Sequence, residues 1–379
     1  MKYDLVIKNG RVIDPSQNMD CVTDIGIIGE KVAFVGEIDA AIDNVSVLNA
    51  DGCIVTPGLI DMHCHMHPFS EKGIWAEPAC FTSGVTTAAE GGSLGCSTFE
   101  KVRVYSSTIG KLRIKHFLSC SSLGQGTASH QEQMNPDFFN GEKINYLYEK
   151  YPDEIVGVKI RQSKKVVGSY GLNPLRRVID ITNEQHIPVM IHCSDPAEGM
   201  PQLLNLMRKG DILTHAFNNK GDCLVKNGKI IPEAIAARER GVIFDIGHAI
   251  GHLSFDTYHV AASEGFMPDT ISSDLTRGSL YRKPEVFNLA FILSEFYCLG
   301  MPLNDVIEKA TAAPAKVLGM EGKIGTLRIG SCADIAVFKM LEREVVFGDC
   351  DKKQFVGNHL LRNVVTVKDG DIVFKDIEF

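Results

Sequence analysis

The stretch Ile54-Val55-Thr56-Pro57-Gly58-Leu59-Ile60-Asp61-Met62-His63-Cys64-His65 decides how the rest of the chain is read. It is an apolar run of strand character that ends in His-x-His. Side chains alternate along a strand, so His63 and His65 project to one side of it. Imidazole is the commonest metal ligand, and two that converge make half a zinc site. Taken alone, such a pair is more often an ordinary surface feature. Its meaning depends on whether later strands also end in residues that a metal can use.

Composition narrows the field. The chain has 379 residues, which suits one barrel of about 250 residues plus a smaller unit. A hydrophobic share of 44% and a charged share of 23% are those of an ordinary globular enzyme. A formal net charge of −8 without a basic cluster argues against a nucleic-acid partner. No apolar run is long enough to span a bilayer, so no membrane partner is expected. The N-terminal MKYDLVIKNG alternates in polarity and lacks the apolar core of a signal peptide. Eleven scattered cysteines with no Cys-x-x-Cys pair read as reduced thiols. Together these two features predict a cytoplasmic location.

Working outward, two β-rich ends flank a different middle. Asn9-Gly10 lies between apolar runs and predicts a hairpin turn. Gly29-Glu30 and Asp369-Gly370 repeat the theme, and Ala333 to Phe338 is a further strand candidate. Residues 1–56 and 325–379 are therefore expected to form one small β-sandwich domain built from both termini. Two separate β-appendages are the alternative. Residues 57–324 alternate apolar strands with helical patterns such as Asn173 to Gln185 and Pro232 to Arg240. After the opening run, strands are expected at 84–89, 116–119, 155–160, 188–192, 212–215, 242–246 and 270–274. Eight strands with helices between them predict an α/β fold, a (β/α)8 TIM-like barrel with its active site at the strands' C-terminal ends.

The ends of those strands carry the chemistry. Lys159 sits within the fourth, His192 closes the fifth, His215 the sixth and Asp274 the eighth. Each has an ordinary explanation. A strand-end histidine can be a rim residue, Asp274 can cap the next segment, and Lys159 can extend its amine to solvent. With His63 and His65, six such residues gather where a barrel converges its functional groups, and the set reads as a metal site.

His-x-His after strand one, lysine on four, histidines on five and six and aspartate on eight resemble the amidohydrolase superfamily. The likeness spans nearly the whole chain, including the TPGLID lead-in at 56–61. GVKIRQS (157–163), LTHAFNNKG (213–221) and PDTISSDL (268–275) bring it closer to the dihydroorotase-related metallohydrolases known as deacetylases. The resemblance implies two Zn2+ ions: His63, His65 and Asp274 on one, His192 and His215 on the other, and N6-carboxylated Lys159 as the bridge. The chemistry suits this. An ammonium has no lone pair for a metal, whereas burial favours the neutral amine, which takes up carbon dioxide as an anionic carbamate. Two zinc ions bring four positive charges, and Asp274, the carbamate and a hydroxide remove three. Unmodified Lys159 in a salt bridge beside a single zinc is the competing reading. The resemblance also implies Asp274 as the catalytic residue, taking a proton from the attacking water and passing it to the leaving group.

Dihydroorotases carry His-x-His-x-Arg, whose arginine holds the substrate carboxylate. Here the third position is His67, which is left to orient a metal ligand. Arg161, two residues after Lys159, faces the same side of its strand and could hold a carboxylate with its guanidinium fork. An ordinary surface ion pair is the alternative for it. Tyr170, on the loop after strand four, and His248, after strand seven, complete the candidate substrate-binding residues; a rim role is as good a reading of His248. Cys64 and Cys193 are expected to face the packing layer. The likeness implies a metal-dependent amidohydrolase with a small-molecule carboxylate substrate, a deacetylase of N-acetyl D-amino acids or acetylated 2-hydroxy acids. A cyclic amidohydrolase of the dihydroorotase or hydantoinase type is the alternative, and a non-catalytic barrel that serves as an assembly partner is a third. Barrel enzymes of this kind are often homo-oligomers, so a homo-oligomer is one candidate state and the oligomeric state is left open.

Overall fold

The computed structural model describes residues 2–38, 45–108, 110–125 and 131–379. The apolar runs of the middle form β1 (Leu59–Cys64), β2 (Val85–Glu90), β3 (Arg113–Ser119), β4 (Ile155–Arg161), β5 (Val189–His192), β6 (Ile212–Thr214) and β7 (Ile243–Asp245). They are parallel and hydrogen-bonded in that order. Parallel strands covered on both faces read as continuous apolar segments, which is why they were legible.

The eighth position closes the ring without forming a regular strand. Residues 270–274 meet β7 through the bridge Asp245–Thr270 and a bond from Ile246 N–H to Thr270 C=O at 3.1 Å. On the other side Asp274 N–H donates to His63 C=O at 2.6 Å and His65 N–H to Leu275 C=O at 2.9 Å. The departure from strand geometry is local: Asp274 has φ +45°.

Helices pack outside the ring. Asn173–Asn183 begins with Pro174 in its first turn and buries Leu175, Val178 and Ile181 at three-residue intervals. Pro232–Glu239 covers the strands further along. Inside, Ile60, Met62, Phe117, Met190 and Ile212 pack with Ala315, Leu318 and Ile324 to fill the lower barrel. Polar groups therefore have room only above that plug, at the C-terminal rim. Cys64 and Cys193 are buried in the layer between strands and helices, as alternation requires.

Both termini contribute to one β-sandwich domain. Its strands run in the order Lys31–Gly36, Met19–Ile28, Leu5–Asp14, Ile54–Pro57, Ile335–Gly348, Gln354–Lys368 and Asp371–Lys375, with Ser46–Asn49 beside Leu5–Asp14. Ile54–Pro57 pairs antiparallel with Ile335–Phe338 and so joins the two ends of the chain. The turns at Gly29-Glu30 and Asp369-Gly370 form as expected. Asn9-Gly10 does not: Leu5–Asp14 is one strand, bulged where its register shifts between Ile7 and Gly10. Asn9 takes φ +62° and its N–H donates to Asp24 Oδ1 at 2.9 Å. One left-handed asparagine satisfied in this way makes a bulge, and the chain reverses later at Pro15–Gln17. Among the described residues no helix is long and apolar enough to cross a membrane.

Candidate metal centre

Two clusters of ligand-type atoms lie together at the barrel rim. One is His63, His65 and Asp274; the other is His192, His215 and His252, and within each the ligand atoms lie within 4.8 Å of one another. They adjoin. Asp274 Oδ1 is 3.2 Å from His65 Nε2 and 3.6 Å from His63 Nε2, while Asp274 Oδ2 is 3.7 Å from His215 Nε2. The His192 and His215 ring centroids are 4.3 Å apart. Lys159 is buried beneath, its Nζ 2.8 Å from His63 Nε2.

Hydrogen bonds on the far side of the His63, His65 and His215 rings fix which nitrogen faces the cluster. Asp245 accepts hydroxyl bonds from Thr214, Thr270 and Ser272, each at 2.7 Å. With its hydrogen committed, Thr214 Oγ1 accepts from His63 Nδ1 at 2.9 Å, which leaves His63 Nε2 unprotonated, with its lone pair toward Lys159 Nζ and the cluster. His215 Nδ1 donates to Gly247 C=O at 2.6 Å, freeing its Nε2 likewise. His65 Nδ1 meets Ser93 Oγ at 2.8 Å, and the Ser93 N–H is held by Glu90.

The donor set fits divalent metal. His215 Nε2 and Asp274 Oδ1 are buried with no hydrogen-bond partner. An orphaned buried polar atom costs about 1–3 kcal/mol, and metal bound at the two clusters would satisfy both. Burial holds His63, His192 and His215 well below the usual imidazole range, so these rings are neutral ligands. His65 goes the other way: burial opposes its charge, but the adjacent carboxylates of Asp274 and Glu90 outweigh that. Burial works to raise Asp274, yet His63, His65 and His215 hold its carboxyl well below the carboxylate range. Burial brings the Lys159 amine down to about 8, against the opposing pull of Asp274 and Asp245. His215 and Asp274 have positive φ, +64° and +45°. Such backbone costs about 1–3 kcal/mol per residue and concentrates at functional sites.

Thr214→Val tests this support. It removes the acceptor for His63 Nδ1 and one donor to Asp245. A loss of about 10- to 100-fold in metal affinity is expected, read by competition with a chromophoric chelator. Affinity equal to that of the parent protein would rule out an orienting role.

The six residues expected to hold metal are thus brought together, and above them opens a cleft of about 460 Å³. Arg161 lines it, paired with Glu132 at 3.4 Å. Two expected substrate contacts are not brought there. Tyr170 is exposed and lies outside the cleft lining. His248 is buried, with Nε2 2.7 Å from Glu295 Oε2. The histidine of that loop which does reach the cleft is His252, four residues on, with a ring stacked 4.0 Å from that of His215. Sequence reading also missed Lys72 and Arg277, which line the cleft from loops. His67 is turned away and lines a separate apolar cavity with Trp75 and His116.

Comparison with known proteins agrees with this geometry. The sequence pattern of the Amidohydrolase family matches residues 153–373. A deacetylase of Enterococcus faecalis is 29% identical over 378 residues, 98% of this chain and 99% of that protein. The crystal structure of an adenine deaminase superposes with a TM-score of 0.90 at 28% identity, over 99% of this chain and 100% of that one. The crystal structure of a dihydroorotase gives 0.89 at 26%, over 98% of both chains. A metal-type centre at the rim of a closed barrel, on a chain matched by that pattern over more than half its length, places this protein in the amidohydrolase family, as a hydrolytic enzyme acting on amide bonds.

Proposed function

We propose that this enzyme is a zinc-dependent deacylase of small carboxylates, removing acetyl groups from N-acetyl amino acids or acetylated 2-hydroxy acids. The observation that carries the proposal is the juxtaposition of the two ligand clusters around buried Lys159, at the floor of a cleft with cations along its rim. His63, His65 and Asp274 would hold one zinc ion, His192 and His215 the other, and carboxylated Lys159 would bridge them. Metal bound there supplies Lewis acidity and brings the pKa of a coordinated water toward about 7. The Asp274 carboxylate takes the proton of the attacking water and returns it to the leaving nitrogen or oxygen. The neutral rings of His63 and His215 hold position through Thr214 and Gly247. The inward plug of Met62, Phe117 and Met190 closes the floor to solvent.

Ring opening of a cyclic amide is the second reading, supported by the likeness to the dihydroorotase structure. Against it stands His67, which faces away from the cleft where a carboxylate-binding arginine would be needed. The test is a screen of the zinc- and bicarbonate-loaded protein with N-acetyl D- and L-amino acids, acetylated 2-hydroxy acids and dihydroorotate. Acetate release from the acetylated compounds is the expected result. Ring opening without acetate would replace the proposal with the second reading.

A further inference from the structure

Besides Lys159 on the floor, three cationic side chains face the cleft: Lys72, Arg161 and Arg277. They are not equivalent. Arg161 already has a counter-ion in Glu132, whose side chain is only 4% exposed. Among the described residues Lys72 and Arg277 have no ion pair with a carboxylate, although Asp274, Glu132 and Glu71 lie near enough to attract Lys72. The placement of Lys72 is built into the chain. After His65 the backbone makes two successive turns, with Ser70 N–H donating to His67 C=O at 3.0 Å and Gly73 N–H to Ser70 C=O at 3.2 Å. Ile74 N–H then closes the excursion on His65 C=O at 3.0 Å. The packing at Gly73 is so tight that a Cβ would lie 1.6 Å from the carbonyl oxygen of His67. This path turns His67 outward and holds half-buried Lys72 over the cleft. Arg277 N–H donates to Lys72 C=O at 2.8 Å, tying the loop to the segment that carries Asp274.

We propose that Lys72, seconded by Arg277, anchors the substrate carboxylate, and that Arg161 does not. The inference rests on reading the cleft as an acyl-hydrolase site, and it restricts substrates to those with a carboxylate near the scissile acyl group. A cation held by its own loop without an ion-pair partner can meet an incoming anion without first breaking a salt bridge. Arg161 would first have to release Glu132 into a buried site, which is costly.

Phenylacetate and its neutral isostere phenylacetamide, neither of them an acetyl donor, test this by calorimetry on the zinc- and bicarbonate-loaded chain. Phenylacetate should bind with salt-sensitive affinity. Lys72→Ala should lose at least about tenfold of it, and Lys72→Arg should retain most. The double variant R161Q/E132Q avoids stranding Glu132 and should bind within about threefold of the parent. Phenylacetamide binding should be the same in all four proteins. With whichever acetylated carboxylate is turned over, Lys72→Ala should raise KM and spare kcat. Phenylacetate binding that survives Lys72→Ala, that is lost in R161Q/E132Q, or that is absent from the parent protein would overturn the proposal. Binding that depends on Lys72 in a protein that releases no acetate would keep the anchor and sink the deacylase reading instead.

Discussion

Asp274→Asn is expected to lower kcat by about 10²- to 10⁴-fold while the protein still carries most of its metal. The change is nearly isosteric. The amide oxygen can still coordinate, and the backbone bond from position 274 to His63 C=O is untouched. What disappears is basicity, at a carboxylate that its imidazole neighbours hold ionised. Single-turnover kinetics beside metal analysis separate the two contributions. Near-normal turnover in a metal-replete variant would exclude Asp274 as the proton carrier. Equal losses of metal and activity would reduce it to a ligand.

Lys159→Ala should be more severe, because it removes the proposed bridge between the clusters. Metal content and activity are both expected to fall. Short carboxylates such as acetate or propionate, added at high concentration, should restore part of each by entering the space left by the side chain. Failure of rescue, with one zinc still bound and activity retained, would favour an unmodified lysine. The parent protein offers a second check through pH. A lowered amine pKa enlarges the neutral, carbon-dioxide-reactive fraction, and that fraction grows as pH rises through about 8. Chelated protein resupplied with zinc and bicarbonate should therefore recover faster above about pH 8 than a unit below it. Recovery that is independent of both bicarbonate and pH would argue against carboxylation.

Which parts of this centre were legible in the sequence follows from where they lie. His63, His65, Lys159, His192, His215 and Asp274 each sit in or close an apolar run, so strand order alone predicts their convergence. The loops obey no such periodicity. His248 and His252 stand in one glycine-rich segment, and only the position of Glu295, 47 residues beyond His248, decides which is sequestered. Lys72 reaches the cleft because two turns reverse its loop, a path set by backbone bonds and the crowding around Gly73. Asn9-Gly10 shows the same limit in the sandwich. Its composition permits a hairpin or a bulge, and Asp24, from the neighbouring strand, selects the bulge. The supporting shell was half visible. Thr214 and Asp245 stand at strand ends, but their role depends on a chain of hydroxyl bonds that cross the barrel interior.

The closing segment has a bearing on folding itself. It joins the last position of the ring to the first by a few bonds, among them those of Ser273 to Asp61, 212 residues away along the chain. A cation gripped by His63, His65 and Asp274 would work as a clasp across that join, and clasps that close long loops restrict the unfolded chain most. Free metal then stabilises the closed ring by mass action. On chelation, amide hydrogens of 270–275 should exchange before those of β3 and β4. An enzyme built this way cannot carry a complete first metal site on an open barrel, so ring closure precedes or accompanies loading.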